Sequence, residues 1–222
     1  MKIAIVDYGM GNLHSVTKAF ELVAEGHAEI ILTADPAVVA GADKVVFPGQ
    51  GAMPDCMREL EESGLKQAVL DAAASKPFLG ICVGAQLLFE HSEEGNMACL
   101  GVFKGKVVKF KPENMRDASG QKLKVPHMGW NEMFIVQDHP LWAGIADTER
   151  FYFVHSYHFA PAEPHDTIIE SAYPERFAVA IAKNNIFAIQ CHPEKSHTAG
   201  LQLLKNFVHW DGKDMVKNKV QK

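Results

Sequence analysis

The sequence has few cysteines, and their spacing does not favour disulfides. Four occur in 222 residues, at Cys56, Cys82, Cys99 and Cys191, with no C-x-x-C pair. Small secreted proteins depend on dense disulfides, whereas a chain of this length can bury a large core without cross-links. We therefore expect free thiols in a reducing compartment, which for this chain indicates the cytoplasm.

Long apolar runs and basic patches are also missing. No apolar stretch approaches the roughly 20 residues that a membrane span needs, and no signal-peptide pattern precedes the first strand-like run at Lys2. Lys and Arg number 22 against 27 Asp and Glu, and basic residues cluster only between Lys213 and Lys222. Neither a membrane nor nucleic acid is therefore expected as a partner.

Strand-like and helix-like segments alternate through the first part of the chain. Apolar runs predict strands at 2–6, 29–33, 44–47 and 78–81. Asn12 is a typical N-cap for an amphipathic helix at 13–24, and Asp35-Pro36 begins a second, short helix. Alternation of this kind predicts parallel strands that are joined by right-handed crossover helices.

The second half of the chain has a different character. Short β-like runs lie at 106–110, 131–136 and 151–159, and we expect antiparallel strands that cover an edge of the sheet. Further strands are predicted at 167–173, 178–183 and 186–190, followed by a helix with Thr198 as its N-cap. The polar segment 113–121 is interpreted as a mobile loop.

No linker rich in Gly, Ser or Pro divides the chain, so we predict one domain at 1–210 and a flexible charged tail at 211–222. The predicted fold class is α/β, with a mixed, mostly parallel central sheet, helices on both faces and an added antiparallel β region. Two segments rich in aromatic residues, 125–131 and 152–158, fit either a core stripe or a docking surface.

Cys82 stands where the strand at 78–81 gives way to a predicted helix at 85–90. Gly80 and Gly84 flank it at two residues on each side, which is the spacing of G-x-S-x-G with sulfur in place of oxygen. A nucleophile on such a sharp corner needs neighbours without side chains, and the backbone N–H of Val83 would point toward an oxyanion. The alternative is a buried cysteine that acts as a small apolar side chain.

The segment Pro48-Gly49-Gln50-Gly51 follows another predicted strand. It lacks the Gly-Lys-Ser/Thr of a phosphate-binding loop, but a glycine-rich turn at the carboxyl end of a strand suits a second oxyanion donor near Gln50 or Gly51. An ordinary strand-to-helix turn is the alternative interpretation.

His192 and Glu194 supply a base and a carboxylate. In an extended chain, residues i and i+2 project to the same face, roughly 6 to 7 Å apart, so the glutamate can reach one imidazole nitrogen and leave the other for a thiol. Pro193 favours that extended geometry, and alternation turns Cys191 away. A surface turn is the alternative, and His155, His158 and His197 have poor spacing for a metal site, so no metal is expected.

Two motifs together resemble the class I glutamine amidotransferases. They are Gly80-Ile81-Cys82-Val83-Gly84-Ala85-Gln86 and Cys191-His192-Pro193-Glu194. Three further segments, 5–13, 126–131 and 152–157, are similar to the glutaminase subunits of imidazole glycerol phosphate synthases of histidine biosynthesis. The resemblance covers about residues 1–210.

This resemblance implies roles for individual residues. Cys82 would be the nucleophile, His192 the base and Glu194 its orienter, and no cofactor would be needed. The oxyanion hole would be formed by Gly49, Gln50, Gly51 and Val83, and the amino-acid end of glutamine would be held by Gln86, Glu94, Ser156 and Tyr157. The partner interface would include Asn12, Trp130, Tyr152 and Lys195.

The resemblance also implies a partner and a pathway. The chain would form a heterodimer with a (βα)₈-barrel cyclase, which receives ammonia through an internal passage and makes imidazole glycerol phosphate and AICAR. The sequence departs from the family pattern at four places near the chemistry: Gln50 stands where Val is frequent, Val83 where Leu, Ala85 where Met, and Cys191 where Phe.

Two other functions share parts of this pattern. A stand-alone cysteine hydrolase of peptides or γ-glutamyl compounds would use the same elbow and base without a partner. A non-catalytic partner subunit would keep the fold alone, although all three triad positions are occupied in this sequence. Labelling of Cys82 by an electrophilic glutamine analogue, and activity without a cyclase, distinguish the three.

Overall fold

Helices and strands alternate in the first part of the chain, and strands dominate after residue 88. The computed structural model describes residues 1–111, 113, 115–116 and 119–213. The strands are Lys2–Val6 (β1), Glu29–Thr33 (β2), Lys44–Gly49 (β3), Phe78–Cys82 (β4), Phe89–Ser92 (β5), Met97–Ala98 (β6), Phe103–Lys109 (β7), His127–Glu132 (β8), Phe134–Ile135 (β9), Arg150–His155 (β10), Tyr157–Pro161 (β11), Thr167–Ala172 (β12), Arg176–Lys183 (β13) and Ile186–Ile189 (β14). The α-helices are Leu13–Ala24 (α1), Pro36–Gly41 (α2), Met53–Glu62 (α3), Lys66–Ser75 (α4), Val83–Gln86 (α5) and His197–His209 (α6).

Five parallel strands form the centre of the sheet, in the order β2-β1-β3-β4-β14. Every residue of β3, β4 and β14 is buried, as expected for strands that are covered on both faces. This arrangement confirms the predicted parallel, mostly buried central sheet.

Helices cover both faces of this sheet. α1 packs against α6, where Phe20 and Phe207 meet edge to face at 5.9 Å, while α2 packs against α4 in a separate layer. Right-handed crossovers explain the division, because a connection that reverses its direction along the sheet crosses on the opposite face. At the start of α1 the side-chain oxygen of Asn12 accepts a hydrogen bond from the Ser15 amide, as the predicted N-cap requires.

The antiparallel region extends the sheet past β14 through β13, β11 and β7, and β12 and β9 join it from the side. The strands that were predicted here do pair antiparallel, β7 with β11 and β9 with β12, whereas β5, which lies outside the predicted runs, pairs with β7 in parallel. β8 and β10 form a separate two-stranded antiparallel sheet.

The predicted strand at 151–159 is two strands. β10 ends at His155 and pairs with β8, whereas β11 begins at Tyr157 and pairs with β7. Ser156 lies between them, at the point where the chain passes from one sheet to the other. The uniform apolar and aromatic pattern gave no sign of this change of partner, because pairing depends on distant segments.

Two helix predictions also need correction. The helix at 85–90 ends at Gln86, and Phe89 is fully buried in β5, where it lies opposite Phe103. The last helix has Ser196 rather than Thr198 at its N-cap position, and Thr198 lies exposed within the first turn. At residues 89–90 strand pairing outweighed the local helix preference, whereas the last helix begins earlier than was predicted.

Some predictions fall partly outside the described residues. These are the loop at 113–121, of which positions 114, 117 and 118 are not described, and the tail at 211–222, of which positions 214–222 are not described. Among the residues that the structure does describe, no helix is both long and apolar enough to cross a membrane.

Candidate active site

Cys82 lies at a sharp corner between β4 and α5. Its backbone has φ 55° and ψ −116°, a conformation that residues with side chains rarely adopt and that is typical of a nucleophile elbow. The two flanking glycines allow the close packing that was predicted. A Cβ atom on Gly80 would lie 3.0 Å from the Cα atom of Ala85, and one on Gly84 would lie 2.0 Å from the Phe47 carbonyl oxygen. The second approach joins α5 to β3 rather than to β4.

His192 and Glu194 form a buried pair. Imidazole Nδ1 lies 2.8 Å from carboxylate Oε1, and the two side chains are 4% and 1% exposed. The extended geometry that was predicted for this segment is wrong, because Pro193–Lys195 is a 3₁₀ turn. His192 itself keeps an extended backbone at φ −107°, and the tight turn brings the glutamate back to it.

The sulfur of Cys82 and the imidazole of His192 come together across the site. Burial by itself lowers the pKa of His192, but the negative charge of a Cys82 thiolate and the interactions of the ring with the Cys82 sulfur and the Glu194 carboxylate outweigh it and raise this pKa. Because Glu194 occupies Nδ1, the interaction with sulfur falls to Nε2, which is buried and makes no hydrogen bond of regular geometry. The arrangement favours the protonated, imidazolium form of His192 beside the sulfur.

The Gly49–Gln50–Gly51 segment begins next to Cys82. Gly49 ends β3 and is the register partner of Cys82 in β4, while Gln50 and Gly51 are exposed at the mouth of the site. Gly51 has φ +114°, and the Cys56 thiol lies 3.6 Å from the Gln50 carbonyl oxygen. Val83 opens α5, where the first amides have no acceptor within the helix.

Cys82 and His192 line one cavity of about 230 Å³, together with most of the other predicted site residues. Pockets for drug-sized ligands measure roughly 300–1,000 Å³, so this volume suits a ligand of amino-acid size. The lining includes all four residues that were predicted to hold glutamine and, from the predicted oxyanion hole, Gln50, Gly51 and Val83 but not Gly49. The lining residues are Gln50, Gly51, Cys82, Val83, Gln86, Glu94, Pro126, Val154, His155, Ser156, Tyr157 and His192.

Glu94 and Gln86 line the same cavity but differ in their exposure to solvent. Glu94 is partly exposed, and its Oε2 accepts a hydrogen bond from the Met53 amide at the start of α3. Gln86 is buried, and its Nε2 donates to the Tyr157 carbonyl at 3.1 Å and to Gln190 Oε1 at 2.9 Å. The cavity therefore offers a carboxylate near solvent and fixed amides inside.

The predicted partner residues lie on the surface around this site. Trp130 is 39% exposed, stacks on His197 with ring centres 4.7 Å apart, and lies opposite Tyr152 in the β8–β10 pair. Lys195 is partly exposed on the 3₁₀ turn beside His192, and α1, which begins after Asn12, packs against that turn.

Sequence reasoning missed two polar side chains at the site. Gln190 follows β14 and places its Nε2 4.0 Å from the Cys82 sulfur, and His155 lies in the cavity wall. The sequence did indicate the position of Gln190. In an extended chain, Gln190 and His192 project to the same face and Cys191 to the other, so Gln190 lies on the side of the proposed base. Within the described residues, no three His, Cys, Asp or Glu side chains are grouped to hold a metal ion.

The geometry combines a nucleophile, a base and an orienting carboxylate. A thiolate at a strained corner attacks carbonyl carbon, an imidazolium delivers a proton to the leaving group, and nearby backbone amides stabilise an oxyanion. This combination suits acyl transfer from an amide or ester to water.

Comparison with known proteins agrees with this chemistry. The family model for "Glutamine amidotransferase class-I" matches residues 4–210. The chain is 64% identical to the imidazole glycerol phosphate synthase subunit HisH of Chromobacterium violaceum, over 96% of this chain and 99% of that protein. It is 61% identical to the subunit of the same name from Aromatoleum aromaticum, over 94% and 98% of the two chains. For the subunit from Neisseria gonorrhoeae the identity is 57%, over 95% and 100%.

Solved structures share the fold at much lower identity. A crystal structure described as a glutamine amidotransferase has a TM-score of 0.68 at 16% identity, covering 93% of this chain and 97% of that one. The crystal structure of a glutamine amidotransferase from Thermotoga maritima has a TM-score of 0.59 at 16% identity, covering 94% and 96%. At these identities the likeness supports the fold alone.

Proposed function

The chain belongs to the class I glutamine amidotransferase family, in the group of imidazole glycerol phosphate synthase subunits HisH, and we propose that it hydrolyses glutamine with Cys82, His192 and Glu194. The observation that carries the proposal is the buried pairing of His192 Nδ1 with Glu194 at 2.8 Å while the Cys82 sulfur lies on the other side of the same ring.

In the first half-reaction the Cys82 thiolate attacks the side-chain carboxamide carbon of glutamine, and a C–S bond forms. The amides of Val83 and of the Gly49–Gln50–Gly51 segment stabilise the resulting oxyanion. His192, protonated on Nε2, gives its proton to the amide nitrogen as the C–N bond breaks and ammonia leaves. A γ-glutamyl thioester on Cys82 remains.

The second half-reaction restores the enzyme. Neutral His192 takes a proton from water, the hydroxide attacks the thioester carbon, and the C–S bond breaks to release glutamate and the Cys82 thiolate. Glu194 keeps the ring oriented and stabilises the imidazolium that forms in each half-reaction. Glutamine and water give ammonia and glutamate, whose new γ-carboxyl group releases its proton to water, so atoms and charge balance without a cofactor.

Four residues of the cavity wall would hold the substrate. Glu94 offers a carboxylate for the ammonium group of glutamine, while Gln86, Ser156 and Tyr157 surround the rest of the amino-acid end. The mixture of one partly exposed charge and buried neutral amides suits a zwitterionic amino acid whose side chain points inward.

The ammonia would pass to a partner subunit. Ammonia in bulk water takes up a proton and loses its nucleophilicity, so a closed route to a synthase is chemically sensible. We propose a heterodimer with a (βα)₈-barrel cyclase that makes imidazole glycerol phosphate and AICAR in histidine biosynthesis, in the cytoplasm. The similar proteins are named as subunits of that synthase, and the exposed Trp130 and Met128 on β8 supply apolar area for a docked partner.

The isolated chain is expected to turn over glutamine slowly. A glycine-containing oxyanion segment can hold a peptide plane in an unproductive orientation until a partner and its ligand shift the population. Glutamate release should therefore rise by at least about tenfold when the cyclase and its ligand are added. Equal rates with and without the cyclase would contradict this regulation and favour a stand-alone hydrolase.

The catalytic assignment is tested by two cysteine variants in the presence of the cyclase. Cys82→Ala should abolish glutamate release and prevent labelling by an electrophilic glutamine analogue. Cys99→Ala, which removes a thiol away from the cavity, is the matched control and should retain both. Residual activity of the Cys82 variant comparable with that of the control would refute the proposed nucleophile.

A further inference from the structure

A continuous run of hydrogen bonds connects the Cys82 sulfur with Asn131 on β8. From the sulfur it passes through Gln190 Nε2 at 4.0 Å and Gln190 Oε1 to Gln86 Nε2 at 2.9 Å. Gln86 Nε2 donates to the Tyr157 carbonyl oxygen at 3.1 Å. The other members lie beyond that carbonyl: His155 Nδ1 at 2.8 Å from it, His127 Nδ1 at 2.9 Å from His155 Nε2, and Asn131 Nδ2 at 3.2 Å from His127 Nε2.

The direction of these bonds follows from the backbone groups at the two ends. The Tyr157 carbonyl only accepts, so His155 must carry its proton on Nδ1. Both rings are buried in a cluster of aromatic side chains, and burial lowers the pKa of His155 well below its usual value and that of His127 to about 4, so both are neutral. Neutral His155 then has a lone pair on Nε2, and it accepts the Nδ1 proton of His127.

The hydrogen bonds of Asn131, at the other end, assign the same tautomer to His127 independently. Asn131 Oδ1 accepts from the Glu132 amide at 2.8 Å, and Nδ2 donates to the Ala172 carbonyl at 2.9 Å, which fixes the orientation of the Asn131 side chain. Its second amide hydrogen is left for His127 Nε2, which must accept. Both histidines are therefore assigned as the Nδ1–H tautomer, and every bond from Asn131 to Tyr157 is donated in one direction.

The Tyr157 carbonyl is the point where this chain meets the proposed substrate site. It receives one N–H from Gln86 and another from His155, so both of its lone pairs are used. The adjoining Ser156 and Tyr157 line the cavity, and Gln86 is held toward Gln190 and the sulfur. At the far end, Asn131 neighbours the exposed Trp130 on β8.

We propose that Asn131, His127 and His155 are positioning residues, whose one-directional hydrogen bonds hold the Tyr157 carbonyl and couple the exposed face of β8 to the glutamine site. This inference rests on the proposed function, because the cavity wall that it positions is taken to be the glutamine site. A partner that moves β8 would shift Asn131, and the displacement would pass through the two rings to Tyr157.

The tautomers are tested first on the unmodified full chain, with no assay of activity. Long-range ¹H–¹⁵N correlation spectra at pH 7.5 should show His127 and His155 neutral, with the proton on Nδ1 in both rings. A proton on Nε2 of either ring would overturn the inference even in an enzyme that hydrolyses glutamine normally. Correct tautomers in a chain that does not hydrolyse glutamine with its cyclase would instead refute the proposed function.

Asn131→Asp tests the functional consequence, because it replaces the amide group that donates to His127 and to the Ala172 carbonyl by an acceptor in a side chain of the same shape. His127 must then carry a proton on Nε2, and the donated direction of the chain is lost. We expect that proton in the spectrum and, in the complex with the cyclase, a KM for glutamine about tenfold higher, with a smaller effect on kcat.

The matched control is Asn206→Asp on α6. Asn206 Nδ2 also donates to two backbone carbonyls, those of Leu141 and Ala143, at 2.9 and 2.8 Å, but it lies outside the chain of bonds. This variant should leave the spectra of both rings and the KM unchanged. Equal changes in KM for the two variants would show a general loss of stability and overturn the coupling.

Discussion

Cys82 is the proposed nucleophile, and its backbone is strained. A non-glycine residue at φ 55° and ψ −116° costs of the order of 1–3 kcal/mol, and the structure around it must hold it there. The neighbouring strands do so, because β3 and β14 pair with β4 on either side up to the corner. The strain turns the sulfur out of the sheet toward His192, which an ordinary strand end would not do.

Glu194→Gln tests the charge behind the proposed base. The variant keeps the size of the side chain but removes the carboxylate that accepts from His192 Nδ1, so the imidazolium is less stable and the pKa of His192 falls. We expect kcat for glutamate release, measured with the cyclase, to fall by ~10²–10⁴-fold with little change in KM. Glu62→Gln, at an exposed position on α3, is the control and should match the unmodified protein. A fall of less than about twofold in the Glu194 variant would exclude its role as orienter.

At the scale of elements, the site depends on how closely α5 approaches β3. The backbone at Gly84 passes the end of β3 without room for a methyl group, since a Cβ there would lie 2.0 Å from the Phe47 oxygen. The approach places the first turn of α5, with the Val83 amide, beside Gly49, where the proposed oxyanion hole lies. The site therefore depends on the short distance between α5 and β3, and not on the length of α5.

Gly84→Ala should therefore destabilise the protein by about 1–3 kcal/mol, because backbone atoms must move to admit the methyl group. Gly41→Ala is the matched control at the end of α2, where a Cβ would meet nothing within 4 Å and φ is not in the left-handed region. It should be neutral or stabilising by up to about 1 kcal/mol. Urea unfolding at pH 7.5 measures both, and equal midpoints for the two variants would contradict the packing argument.

At the scale of the whole molecule, buried neutral histidines should make the fold sensitive to acid. Burial lowers the pKa of His127 and of His139 to about 4 and that of His155 well below its usual value. Their contribution to stability is complete above pH 6.5, where the unfolded chain is also neutral, and is lost as pH falls from 6.5 to about 4, because only the unfolded chain takes up protons there. The raised pKa of His192 has the opposite sign, since its contribution is present below pH 6.5 and is lost as pH rises through the folded pKa.

His139→Asn isolates one of these groups away from the site. His139 caps a 3₁₀ turn by accepting from the Leu141 amide, a bond that an asparagine oxygen can also accept. The loss of unfolding free energy between pH 7.5 and 5.0 should be smaller in this variant by about 2 kcal/mol. His14→Asn, at an exposed position of α1, is the control and should keep the original loss. An unchanged loss in the His139 variant would mean that this ring is not kept neutral in the folded protein.

Short-range patterns of the sequence were sufficient for much of the fold. The bounds of β1, α1 and β2 match the prediction, Asn12 caps α1, and Cys82 stands at a strand-to-helix corner. These features depend on alternation, capping and glycine spacing, all of which act within a few residues. The family resemblance also rested on such local motifs, and the comparisons support the family and the fold.

Other features were decided only in three dimensions. Local sequence preference predicted a helix that continues to residue 90 and a single strand that continues through Ser156. In the structure these segments contain β5 and β11 instead, because both strands pair with β7. His192 and Glu194 meet through a 3₁₀ turn instead of an extended strand.

The sequence by itself determined which residues are proposed to carry the chemistry and which local shapes many of them take, because side-chain type and short-range sterics are set along the chain. Only the tertiary structure decided that Cys82 meets His192, that Gln190 reaches the same sulfur, and that His127 bonds to His155. The physical reason is that these contacts join strands far apart in the chain, and their register depends on how the whole core packs.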